Sequence, residues 1–145
     1  MFYGEFNHNL DRKGRIILPA KFRDACKENA VESFFITRGL DKCIFMFTEE
    51  EWRLSEQKFK NISFTKQESR GFNRMFFSGA MDVKPDRQGR FILPGYLKDY
   101  AGIKRDTVVI GVSNRIEIWD RQSWSQFYSN SSASFEQIAE NLLEM

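Results

Sequence analysis

Asp11-Arg12-Lys13-Gly14-Arg15-Ile16-Ile17-Leu18-Pro19 is answered later in the chain by Asp86-Arg87-Gln88-Gly89-Arg90-Phe91-Ile92-Leu93-Pro94. The alignment extends without a gap from Met1 to Asp24 at a shift of 75 residues, with Phe2, Gly4 and Asp24 also recurring. A second match follows at a shift of 72, placing Cys43-Ile44-Phe45-Met46-Phe47 through Trp52 on Arg115-Ile116-Glu117-Ile118-Trp119 through Trp124. Self-similarity of this length is the signature of a duplicated unit and governs the reading of every smaller motif.

Each copy has the same local grammar. Asp11 and Gly14 suit positions i and i+3 of a type I turn, where Asp caps the turn backbone and Gly accepts a positive φ; Asp86 and Gly89 match them. Strand-like segments flank the turn, Phe2 to His8 before it and Arg15 to Leu18 after it. Pro19 and Pro94 suit the first position of a short helix that carries Phe22, Ala25 and Cys26 at helical spacing. A second strand pair follows, Phe34–Thr37 with Cys43–Phe47, and Val108–Val112 with Arg115–Trp119 in the second copy. Thr48 and Glu51 form a capping-box pattern ahead of a helix with Trp52 and Phe59 on one face, and Thr65 and Glu68 repeat it before Phe72, Met75 and Phe76. Asp120 can cap a helix holding Trp124, Phe127 and Tyr128. Asn130 to Ser134 reads as a linker, and Phe135–Leu143 as a final amphipathic segment, the stretch after Asp120 being helical and mostly packed.

This places a first repeat at residues 1–60, a connecting helix at 61–76, and a second repeat with the C-terminal helices at 77–145. One copy of roughly 70 residues has a thin core. The economical α+β architecture has the two copies exchanging strands into one pseudo-twofold β-barrel with flanking helices. Exposed edges and aromatic helices favour further assembly of such units.

The composition, 41% hydrophobic with 15 Phe, supports a packed interior. No apolar run reaches the roughly 18 residues of a membrane span, and the N-terminus lacks a signal pattern, so a cytoplasmic protein is expected. Cys26, Cys43 and His8 are the only thiols and imidazole. They are too few and too scattered for a structural zinc site, and they fit buried thiols and a solvent-facing strand residue. No glycine-rich phosphate loop, paired carboxylates or usable triad is present, so no enzyme, cofactor, metal or small-molecule substrate is expected. Glu49-Glu50-Glu51 suits the first turn of a helix through its dipole rather than a metal.

The net charge of +2 conceals an uneven distribution. Residues 11–27 and residues 84–105 each carry six Lys/Arg against two Asp, leaving an acidic remainder. Arg12, Lys13 and Arg15 crowd around Gly14; Arg87 and Arg90 surround Gly89. A hairpin tip is narrow enough for a major groove, where the Arg fork matches guanine O6 and N7 while Lys suits phosphate. Arg15 and Arg90 can equally hold the loop by pairing with Asp11 and Asp86, and the two roles are compatible. Lys21, Arg23 and Lys98 read as helix surface or intersubunit pairs. Phe34, Phe35, Phe45, Phe47, Phe76 and Phe77 read as core or subunit interface rather than base-stacking platforms.

These residues resemble the MraZ family. Asp-x-Lys-Gly-Arg with its Pro and short basic helix, the second Asp-x-x-Gly-Arg half a chain on, the opening Met1-Phe2-x-Gly4, Glu51-Trp52 and Ile118-Trp119-Asp120 carry the likeness over nearly the whole chain. The resemblance implies the swapped-hairpin barrel of SpoVT and AbrB regulators, duplicated in one chain. It also implies ring-shaped homo-oligomers that bind short G-rich direct repeats in double-stranded promoter DNA as transcriptional regulators of the division and cell-wall gene cluster, hence a nucleoid-associated protein. Carried over by position, Lys13 and Arg15 match the first basic motif, and Arg87 and Arg90 lie in the second. Two positions depart: Lys98 stands where the first copy has Arg23, and Gln88 where it has Lys13. An antitoxin of the same fold and a purely structural ring are the competing functions.

Overall fold

The register of a six-stranded antiparallel sheet shows how the copies combine. The computed structural model describes residues 1–144. The first repeat contributes β1 (Phe2–Asn9), β2 (Arg15–Ile17), α1 (Ala20–Glu28), β3 (Phe34–Arg38), β4 (Ile44–Thr48) and α2 (Glu49–Lys60). After α3 (Gln67–Ser78), the second contributes β5 (Met81–Val83), β6 (Arg90–Ile92), α4 (Gly95–Ala101), β7 (Asp106–Ser113), β8 (Ile116–Asp120), α5 (Arg121–Ser132) and α6 (Phe135–Leu143). The large sheet runs β1-β7-β8-β4-β3-β5, and β2 pairs separately with β6.

Exchanging each strand for its counterpart in the other copy reverses this order and returns the same sheet. The self-equivalent pairs mark the pseudo-twofold axis: Phe45 opposite Glu117 in the sheet and Ile16 opposite Phe91 in the β2–β6 ribbon. Strands of the two copies therefore interleave, β1 on β7 and β5 on β3. The expectation of one barrel is corrected in one respect. The sheet ends on β1 and β5, no ladder among the described residues joins these edges, and β2–β6 stands apart as its own ribbon.

Both faces of the sheet are covered, which explains why β4 and β8 are buried almost throughout rather than alternating. On one face Ile36, Ile44, Met46, Ile116 and Ile118 pack with Ile16 and Phe91 of the ribbon, Phe22 of α1 and Leu97 of α4. On the other, Phe45, Phe47, Val108, Ile110 and Trp119 meet Trp52 of α2 and Phe76 of α3, with Phe35, Phe59, Phe72, Phe77 and Trp124 partly buried around them. Of the six phenylalanines read as core or subunit interface, Phe34, Phe45, Phe47 and Phe76 are buried, and Phe35 and Phe77 pack partly buried at the edge. Glu117 is buried on this face, its carboxylate accepting from Arg115 Nε at 2.9 Å and Trp119 Nε1 at 2.9 Å. Cys26 and Cys43 are free and buried; burial pushes the Cys26 thiol up to about 11 and raises that of Cys43 further.

The copies are not equal. β1 makes eight register pairs with β7, from Phe2–Ser113 to Asn9–Asp106, whereas β5 makes three with β3. Phe77 and Ser78, which align with Phe2 and Tyr3, are drawn into the end of α3. Pro85 stands where Leu10 donates its N–H to the Arg105 carbonyl at 2.8 Å, a bond a proline lacks.

Several local expectations are corrected. Pro19 and Pro94 are the N-cap residues of α1 and α4, one position before the first helical residue, with extended ψ of 142° and 151°. Thr48 and Asp120 cap α2 and α5 through the N–H groups of Glu51 and Ser123. Thr65 instead bonds Ser63, and α3 starts at Gln67 without a side-chain cap. Asn130 to Ser132 belong to α5, leaving only Ala133-Ser134 as the link to α6. The segment after Asp120 is helical but not mostly packed. Neither α5 nor α6 has a fully buried residue, and Phe135, Ile138, Leu142 and Leu143 are exposed.

Candidate nucleic-acid interface

Each basic turn is a three-residue hairpin loop built by its aspartate. The Asp11 N–H donates to the Arg15 carbonyl at 2.9 Å, and the Gly14 N–H to the Asp11 carbonyl at 3.0 Å. Asp11 Oδ1 accepts from the backbone N–H groups of Lys13 and Arg15, both at 2.9 Å, and Oδ2 accepts from Arg15 Nε at 2.7 Å. The second turn repeats every bond: Gln88 and Arg90 N–H to Asp86 Oδ1 at 2.9 Å, and Arg90 Nε to Oδ2 at 2.9 Å. Gly14 and Gly89 take φ of 75° and 82°, the left-handed step that lets a type I turn re-enter its strand. Backbone donors, foremost those of Arg15 and Arg90, hold both Asp carboxyls below the usual carboxylate range, with the Arg side chains adding to the effect.

The loop-support role read for Arg15 and Arg90 is therefore realised, and it sets how they are displayed. Only Nε is engaged by the aspartate; among the described residues neither terminal Nη pair has a partner. The side chains remain 25% and 36% exposed. In the ribbon Arg15 lies opposite Ile92, and Ile17 opposite Arg90. Ile16 and Phe91 point into the core, so the alternation of the pleat puts Arg15, Ile17, Arg90 and Ile92 together on the outer face. From strand rise and spacing, the Arg15 and Arg90 Cα atoms stand about 8 Å apart. The turns themselves project from opposite ends of the ribbon rather than side by side. Arg12, Lys13 and Arg87 are exposed at their tips.

Each turn leans on the other copy. The Leu18 N–H donates to the Gly89 carbonyl at 2.7 Å, and the Leu93 N–H to that of Gly14 at 3.1 Å. Arg23 of α1 reaches across to donate from Nη1 to the Gln88 carbonyl at 2.7 Å. Its counterpart Lys98 of α4 faces Gly14, with Nζ 3.4 Å from where a Cβ would stand. Arg23, read as surface or intersubunit, is thus an inter-repeat brace.

The first turn also borders an open cleft of about 320 Å³ lined by Leu10, Asp11, Arg12, Gly14, Lys98, Lys104 and Arg105. Lys104 and Arg105 were visible in sequence only as members of the second basic island; the β1–β7 pairing brings them beside the first turn. The corresponding cleft at the second turn includes Glu32, which lies 3.9 Å from Lys84, so the first end is the more cationic. His8, read as facing solvent, is partly buried; desolvation, aided by Arg23 and Arg121, lowers its pKa.

The family model of MraZ protein, labelled antitoxin-like, matches residues 1–75 and again 76–145. The chain belongs to the MraZ family. Its two matches meet within α3, so each MraZ unit carries one Asp-x-x-Gly-Arg turn and lends a strand to the sheet of the other. Among the described residues, no helix is long and apolar enough to cross a membrane.

Proposed function

We propose that the protein is a sequence-specific double-stranded DNA-binding transcriptional regulator of the MraZ type, reading short G-rich direct repeats from the outer face of the β2–β6 ribbon. The observation that carries this reading is the pair of arginines clamped through Nε, with their terminal nitrogens free on one face. An Asp that fixes the rotamer removes part of the ordering cost of binding, and the free Nη pair is the fork that matches guanine O6 and N7. Arg12, Lys13 and Arg87 at the tips, with Lys104 and Arg105 in the first cleft, supply phosphate contacts on either side.

Assembly belongs to the same proposal. The exposed Phe135, Ile138 and Leu142 of α6 and Phe127 and Tyr128 of α5 form apolar surface of the kind that marks an interface between copies, in keeping with a ring-shaped homo-oligomer in the cytoplasm, associated with the nucleoid. The test is fluorescence anisotropy with the duplex upstream of the native gene against a scrambled duplex, over a salt series. Preference for the native duplex with a steep log–log salt slope supports the reading. Equal, salt-insensitive binding to both refutes it and leaves the structural ring.

A further inference from the structure

We infer that Ile17 and Ile92, which stand between Arg15 and Arg90 on the outer face of the ribbon, form a contact for the C5-methyl group of thymine in the DNA duplex. This rests on the DNA-binding reading and goes beyond it, because it assigns recognition to side chains that carry no charge.

The two faces of the ribbon differ in burial in an unexpected way. The ribbon's inward residues, Ile16 and Phe91, are 1% and 6% exposed, as core residues should be. Ile92 on the opposite face is 56% exposed, and Ile17 is only partly covered. Burial gives Ile92 little reason to be apolar, yet the same aliphatic side chain recurs at the equivalent, half-buried position 17 of the first copy. The register then fixes the neighbours: Ile92 lies directly opposite Arg15 and Ile17 directly opposite Arg90. The apolar pair is therefore enclosed by two guanidinium groups on its own face and flanked by the cationic tips Arg12, Lys13 and Arg87.

That setting selects the occupant. An apolar protein partner would have to desolvate both arginines, whereas a duplex satisfies them and presents apolar groups in only one place on its major-groove edge, the thymine methyl. The arginines are separated by about 8 Å, roughly two base-pair steps, so the isoleucines face base pairs lying between or beside those the arginines address. Isoleucine can neither donate nor accept a hydrogen bond. It therefore favours a methyl and disfavours the exposed amino group of cytosine at that position.

The experiment compares the native upstream duplex with the same duplex carrying deoxyuridine in place of thymine, for the wild-type protein and for Ile92→Ala, Ile17→Ala and the double variant, by anisotropy. Burying one methyl group corresponds to about a three- to five-fold change in affinity, and the wild type should lose that factor on the uracil duplex. The Ala variants should lose a similar factor on the thymine duplex and little more on the uracil duplex, and Ile92→Val should retain most of the affinity. Urea midpoints check that the substitutions at exposed Ile92 and half-buried Ile17 leave the fold intact. Equal wild-type affinity for the thymine and uracil duplexes overturns this inference alone, as does an undiminished uracil penalty in the double Ala variant. Failure of the wild type to bind either duplex overturns the DNA-binding reading and this inference with it.

Discussion

Replacing each turn glycine by alanine should separate two sites that the sequence makes look alike. Gly14 and Gly89 occupy equivalent positions at φ of 75° and 82°. An L-residue held there costs about 1–2 kcal/mol at either position. The surroundings then differ. A Cβ at position 14 meets only the mobile Lys98 Nζ, at 3.4 Å, whereas one at position 89 lands 2.5 Å from Arg23 Cδ. Arg23 must withdraw, and its 2.7 Å bond to the Gln88 carbonyl is lost with it. A charge-assisted bond of this kind, discounted for its exposure, is worth about 1–2 kcal/mol. Gly89→Ala should therefore be less stable than Gly14→Ala by that amount, a few degrees in Tm at roughly 3 °C per kcal/mol for a chain of this size. Urea denaturation gives the measurement, read as a shift of the midpoint at constant m-value. Arg23→Ala in the Gly89→Ala background should add almost nothing, because the brace has already gone. Equal destabilisation by the two glycine variants, or full additivity of the Arg23 change, refutes the inter-repeat brace.

Other consequences follow from the same geometry. Because the Asp11 and Asp86 carboxyls are held below their ordinary pKa of 3.8, they contribute stability above that pH which is lost as pH falls through their folded-state values. Asp11→Asn with Asp86→Asn should thus be less stable than the wild type at pH 7, with the difference narrowing below about pH 4 in parallel urea series. Glu117→Ala strands the Trp119 indole N–H and the Arg115 guanidinium at the pseudo-twofold axis; it should cost about 2–4 kcal/mol, whereas Gln, which keeps an acceptor, should cost less. Gln88→Lys restores at the second tip the cation that Lys13 supplies at the first. It should tighten promoter binding and steepen the log–log salt slope by about 0.9 per phosphate gained.

What could be read from sequence was decided by short-range chemistry. The Asp–Gly spacing fixed the turn because every bond that builds it lies within four residues, and the Thr48 and Asp120 caps act over three. Strand pairing across the copies was legible only as a need to complete a thin core. Which edge meets which is settled by contacts about a hundred residues apart, such as Phe2 with Ser113 and Asn9 with Asp106. The same distance hid Lys104 and Arg105, which carry no motif and reach the first turn only through β1 and β7. Two failures were local rules overridden. The repeat alignment promised a strand at Phe77 and Ser78, but Phe76 and Phe77 pack against Trp52, and that aromatic cluster keeps both residues in α3. The proline at the head of each short helix is the N-cap and not the first helical residue, a distinction sequence does not carry because the two positions impose the same φ on proline and differ only in ψ.

In the proposed complex Arg15 and Arg90, held by their aspartates, present guanidinium forks to guanine in the major groove. Dimethyl sulfate methylates guanine N7 in that groove, the atom each fork would cover. Wild-type protein on the upstream duplex should protect guanines within each short repeat. Arg15→Lys with Arg90→Lys, which keeps the charge but removes the fork, should lose that protection while the oligomer stays intact by light scattering. Bound complexes that leave every guanine N7 open, or protection unchanged in the double Lys variant, would rule out guanine recognition by these arginines.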